Sequence, residues 1–143
     1  MSKFLHTRIF SVAFALLLLM LAMPEKVMSQ KTMKVEGQVF IKDGEKEVPR
    51  LMFYVVVKSN RAEKVKTKID ELKNKHKKNL YVAEKKFRIY CENKELTLKY
   101  TMPNGTFEES VMQGSSFVFF SSAFNSQIKS VQQIISNNGK VIF

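Results

Sequence analysis

Apolar residues in this chain recur mostly at every second position, and that period limits the fold more than any other feature. In "TMKVEGQVFI", Thr32 to Ile41, the alternation runs through Met33, Val35, Gly37, Val39 and Ile41. Side chains of a strand point to opposite faces in turn, so this pattern predicts a half-buried strand. Asp43-Gly44 then supplies a turn, and "LMFYVVV", rich in β-branched and aromatic residues, predicts a second strand over Leu51 to Val57. Pro49 lacks a donor and fits only a strand start or an edge. Further strands are expected in "LYVAEKKFRIYCEN", in "ELTLKYTM", in "TFEESVM" and in "SSFVFFSS". In "TFEESVM", Phe107 and Val111 share a face. Gln113-Gly114 turns the chain into the last run, where Phe117 and Phe119 share one face and Phe120 takes the other.

One segment breaks the period. In "SNRAEKVKTKIDELKNKHKKN", Ala62, Val65, Ile69 and Leu72 recur at spacings of three and four, which predicts a helix over about Asn60–Lys78. Asn60 with Glu63 suits a capping box. Glu71 and Lys75 form a favourable i,i+4 pair. The apolar stripe is narrow, so the helix is expected to lie on a sheet with most of its surface wet. The end of the chain is ambiguous: Gln127 to Ile135 reads as strand in preference to helix, turned by Asn138-Gly139 into "KVIF". These elements predict a mainly β, antiparallel β-sandwich-like domain with one inserted amphipathic α-helix, at about residues 58–79. An α+β fold is the alternative.

The first 29 residues read as a signal peptide. Lys3 and Arg8 form a basic start, Ile9 to Met23 is a 15-residue apolar run, and Ser29 offers a cleavage site. That run is shorter than the roughly 20 residues of a spanning helix, so an uncleaved anchor is the weaker reading. No cysteine lies near the site, which argues against a lipoprotein, and no later segment is apolar enough to span a membrane. The single expected domain is 30–143. Removing Lys3, Arg8, Lys26 and Glu25 leaves 21 basic and 12 acidic residues, a net +9. The one cysteine, Cys91, excludes an internal disulfide and is expected to be a half-buried strand thiol. Mass spectrometry of the native protein should find Gln30 at its N-terminus.

Two blocks of the sequence resemble a known family. "VEGQVFIKDGEKEVPRLMFYVVV" at the front and "NGTFEESVMQGSSFVFFSSAF" near the end are similar to carboxypeptidase-regulatory-like domains, which have a transthyretin-type β-sandwich. Gly37, Val39, Pro49, Gly105, Phe107, Gly114, Phe117 and Phe119 carry the resemblance. The family usually joins these blocks by a short connection, whereas Lys58 to Met102 intervenes here. The resemblance implies a scaffold in the secreted or outer-membrane-associated proteins of Bacteroides-type bacteria. It brings no catalytic residues.

The chemistry of the residues agrees with a binding role. Beyond the signal segment the only histidine is His76, in the cationic run "NKHKKN", and the only aspartates are Asp43 and Asp70. A small hydrolase is therefore the weakest reading. No metal-ligand spacing and no phosphate loop occur, and no cofactor is expected. Glu108 and Glu109 are adjacent, so on a strand they face opposite ways and cannot act as an acid–base pair. Between Lys58 and Lys78 there are nine Lys/Arg and three acidic residues. A solvated helix surface is the preferred reading of that run. The alternative is a polyanion-binding face for lipopolysaccharide or acidic glycans, built on Lys64, Lys68, Lys75 and Lys78. No aromatics interleave with these cations, so specific nucleic-acid binding is not expected. The sequence thus predicts an exported, non-enzymatic binding or adaptor module, periplasmic, outer-membrane-associated or secreted, with another envelope protein as its partner.

Overall fold

The structure, a computed structural model, describes residues 31–143. Its elements run β1 (Thr32–Asp43), β2 (Lys46–Pro49), β3 (Phe53–Lys58), α1 (Ser59–Lys75), α2 (Leu80–Asn93), β4 (Leu98–Tyr100), β5 (Thr106–Met112), β6 (Ser115–Phe120), β7 (Ser126–Ser130), α3 (Val131–Ser136) and β8 (Lys140–Ile142). The strands form two four-stranded sheets. In the first, β1 is shared: it pairs antiparallel with β5 and with β2, and parallel with β8. The second has the order β4-β3-β6-β7, antiparallel throughout. Strand takes 41% and helix 33%, so the fold is mainly β, a sandwich-like arrangement with α+β character. The expected signal peptide and its cleavage site lie outside the described residues. Among those residues no helix is long and apolar enough to cross a membrane.

The sheets face each other across an aromatic core. Val35 and Val39 of β1, Phe107 and Val111 of β5 and Val141 of β8 meet Tyr54 of β3 and Phe117 and Phe119 of β6. Val131 and Ile134 of α3 pack into the same cluster. The other face of the second sheet is covered too: Val55, Val57, Val118 and Phe120 pack under Ala62, Val65, Ile69 and Leu72 of α1 and Ala83, Phe87 and Cys91 of α2. The result is three layers, sheet on sheet on helices. This explains β6, whose six residues are all buried. A strand covered on both faces loses the polar half of its alternation and reads as a continuous apolar run.

Several local expectations hold. Gly44 turns the β1–β2 hairpin at φ 64°, and Pro49 ends the exposed strand β2. The four stripe residues of α1 are its four buried ones. Phe117 and Phe119 lie on one face of β6 and Phe120 on the other.

Others are corrected. The segment "LYVAEKKFRIYCEN" is the helix α2, not a strand, so the inserted region carries two long helices and not one. Asn79 caps α2 through its side chain, and Ala83, Phe87 and Cys91, each four residues apart, form its buried stripe. Cys91 is accordingly a fully buried helix residue. Asn60 does not cap α1; the N-cap is Lys58, with no side-chain capping bond, and the helix ends at Lys75. Glu71 pairs with Lys68 at 3.0 Å rather than with Lys75. "ELTLKYTM" gives only the three-residue strand β4. The C-terminal segment is both alternatives in turn, strand to Ser130 and then the short helix α3 behind a capping box of Ser130 and Gln133.

Candidate functional site

Strand β5 sets the chemistry of one end of the sandwich, because its two glutamates take opposite faces. Glu108 points outward, where Lys34 Nζ lies 3.2 Å from it and 2.6 Å from Glu36. The hydrogen bond to Glu36, then the one to Glu108, raises the pKa of Lys34. These groups are exposed, and such pairs add little stability. Glu109 points inward. Tyr54 donates its hydroxyl to Glu109 Oε1 at 2.6 Å, and Lys99 Nζ lies 2.8 and 2.6 Å from the two carboxylate oxygens. This triad ties β5 of the first sheet to β3 and β4 of the second. The Tyr54 ring packs against Phe107, Phe117 and Phe119, and burial, aided by the bond to Glu109, holds its phenol well above the usual range.

Beside the triad the sheets part. A cleft of about 610 Å³ opens there, lined among others by Val56, Lys58, Arg61, Lys99, Glu109 and Val111. A second cleft, of about 410 Å³, lies where the start of α1 meets the end of α2, with Arg61, Lys64, Tyr90, Asn93 and Lys94 on its walls. The two share Val57, Arg61, Glu95 and Leu96. Gly105 forms the corner between β4 and β5. Its φ is +80°, and a Cβ there would strike the Val39 carbonyl, so this corner needs glycine. Glu95, which turns the chain from α2 to β4, also adopts a left-handed conformation, at φ 55°.

Among the described residues five cations, Lys58, Arg61, Lys64, Lys94 and Lys99, therefore border the two adjoining clefts, against two carboxylates, Glu95 and Glu109. Glu109 is already neutralised by Lys99. The remaining balance is cationic and includes one guanidinium, the group best shaped for bidentate anion recognition.

The four lysines expected as a site do not converge. Lys64 lines the second cleft. Lys68 is half-buried and bound to both oxygens of Glu71. Lys75 is exposed in the last turn of α1, and Lys78 is exposed in the link to α2. At 1.5 Å per residue, Lys64 and Lys75 are roughly 16 Å apart along the axis. Lys58, Arg61, Lys94 and Lys99 are absent from the expected set. Arg61 shares the first turn of the predicted helix and was open to inclusion. Lys94 and Lys99 reach the cleft only through the fold of α2 and β4.

The remaining reactive groups do not line this cleft. His76 is half-buried, and its Nε2 is shielded, with no hydrogen-bond partner among the described residues. Burial pushes the Cys91 thiol up to about 11, which suits an inert core residue. Among the described residues no group of three or more His, Cys, Asp or Glu is placed to hold a metal ion. Tyr54 and Cys91 make a pH prediction. Both keep their protons in the folded chain to higher pH than in the unfolded one. Their contribution is whole below about pH 8.5, the ordinary thiol value, and falls as the unfolded thiol and then the unfolded phenol, near 10, lose protons. Urea midpoints should drop between about pH 8 and 11, and less steeply in a Tyr54→Phe, Cys91→Ala variant. Compared with protein-family models, with curated proteins and with solved structures, the chain finds no match, so the cleft is read from its own geometry.

Proposed function

We propose that this chain is an exported, non-enzymatic binding module of a bacterial cell envelope, of the carboxypeptidase-regulatory-like kind, and that it holds an anionic partner in the joined cleft. One observation carries the anionic part: Arg61 stands on the wall common to both clefts, with Lys58, Lys64 and Lys94 around it and, among the described residues, Glu95 as the single lining carboxylate not paired with Lys99. A concave site lined by one sign of charge focuses its field on a ligand of the other sign. The export signal read from residues 1–29 and the sandwich resemblance support the setting.

A second reading keeps the polyanion but lays it along α1, favoured by the exposure of Lys64 and Lys75 on one flank of the helix. Retention on immobilised heparin separates the two. Changing Arg61 and Lys94 together to alanine should weaken retention strongly and lower the dependence of log affinity on log salt by about two, roughly one for each lost contact. Changing Lys64, Lys68 and Lys75 together to glutamine should have the smaller effect, because only Lys64 lines the cleft. The reverse order would favour the helix face. Retention unchanged in both variants would leave these cations as a solvated surface.

A further inference from the structure

We infer that the open edge of β5 accepts an extended acidic polypeptide segment as an added antiparallel strand, a deeper claim that rests on the anionic reading of the cleft. Backbone groups of an antiparallel strand face its neighbour and face away in alternate residues. The Gly105 carbonyl accepts from Val39 N at 3.0 Å, and Gln113 N donates to the Lys31 carbonyl at 3.0 Å. The odd-numbered residues of this segment thus face β1, and the even-numbered ones face away. Thr106 is already satisfied: its N–H donates to Asn104 Oδ1 and its carbonyl accepts from Met102 N. Glu108, Ser110 and Met112 are exposed and keep both backbone groups on the open side, since among the described residues β5 pairs with β1 alone.

Natural sheets blunt such edges by shortness, proline, bulges or charged side chains, lysine above all. The others here follow that practice. β2 has four residues and ends in Pro49, β4 has three, and β7 carries Lys129. β5 has seven residues, none of them proline or lysine; its two charges, Glu108 and Glu109, are paired with Lys34 and Lys99, and it ends on Met112, which is 41% exposed.

Charge selects the occupant. Glu109, Ser110, Val111 and Met112 line the first cleft together with Lys58 and Arg61. A strand laid beside β5 would send alternate side chains into that cleft. With Glu109 neutralised by Lys99, the cations left there favour Asp or Glu at those positions. A second copy is a poor occupant, because a chain with 24 Lys+Arg and 13 Asp+Glu repels itself.

The test uses the full chain and a blocked nine-residue peptide of alternating glutamate and valine, with an alternating lysine and valine peptide as control. Binding is followed by fluorescence anisotropy and by amide hydrogen exchange. Ser110→Pro removes one open-side N–H and leaves the β1 ladder intact, a position where an edge strand tolerates proline. The acidic peptide should bind and the basic one should not. Ser110→Pro should weaken the acidic peptide about tenfold or more, through a lost hydrogen bond and the bulk of the ring. The amides of Glu108, Ser110 and Met112 should gain protection when peptide is bound. Should Ser110→Pro fold poorly, the acidic peptide N-methylated at alternate residues replaces it, and should bind the unchanged protein about tenfold more weakly. Equal binding by Ser110→Pro or by the methylated peptide, with those amides unprotected, overturns strand addition and leaves the anionic cleft standing. Edge protection by the peptide that survives Arg61→Ala, Lys94→Ala, with the basic peptide bound equally well, overturns the acidic specificity instead. A concentration-dependent dimer abolished by Ser110→Pro would make the second copy the occupant and overturn the peptide.

Discussion

Changing Phe87 to alanine is expected to remove about 3–5 kcal/mol of stability, the largest loss of any single truncation in the helical layer. Phe87 is fully buried. Its ring meets Phe120 edge-on at 5.0 Å and Phe124 at 6.1 Å, and stacks with Tyr90 at 5.8 Å. It is the one large side chain among the three buried residues of α2, so it supplies most of what holds that helix on the second sheet. Small domains are stable by only about 5–15 kcal/mol, and a loss of this size approaches unfolding. Urea denaturation measures it as a lower midpoint at unchanged slope. Tyr81, on the same helix and 76% exposed, is the control, and its truncation should stay within about 0.5 kcal/mol. A small effect at Phe87 would mean that α2 does not cover the sheet.

The second large effect is expected at Glu109. Alanine there takes the acceptor from the Tyr54 hydroxyl and the counter-charge from Lys99 together. The two partners respond differently. The Lys99 side chain is 40% exposed and can turn into water, so its share is discounted for solvent screening. The Tyr54 residue is 3% exposed and its hydroxyl is stranded, which costs about 1–3 kcal/mol. Adding Tyr54→Phe to Glu109→Ala should recover much of that loss, because no buried hydroxyl then lacks a partner. Glu108→Ala, one residue away on the wet face, should change stability by no more than about 0.5 kcal/mol. Equal losses at Glu108 and Glu109 would contradict the inward triad.

These two residues also show what the sequence could and could not reveal. The opposite facing of Glu108 and Glu109 follows from strand geometry and was legible. Their partners were not, since Tyr54 lies 55 residues from Glu109 along the chain. Helix α1 was legible because its stripe has no competing period, and the turns at Gly44 and Gly114 because positive φ favours glycine there. Helix α2 was misread for a physical reason. Val82, Phe87, Ile89 and Tyr90 favour strands in isolation, and that local preference outweighed the i,i+4 spacing of Ala83, Phe87 and Cys91. The deciding factor was tertiary: Val55, Val118 and Phe120 on the outer face of the second sheet need a cover wider than α1. With α2 misplaced, Lys94 and Lys99 could not be brought to Arg61. The candidate site was consequently sought along one helix rather than in the cleft between two layers.

The cleft itself is the claim most open to direct measurement. Titrating a short heparin-derived oligosaccharide into the isotopically labelled chain, with amide and Arg side-chain shifts followed by NMR, tests it residue by residue. Shifts confined to Lys58, Arg61, Lys64, Lys94 and the backbone from Glu95 to Lys99, weakening together as salt is raised, are the predicted result. Shifts centred on Lys75 to Lys78, or none at concentrations that saturate heparin binding, would contradict it.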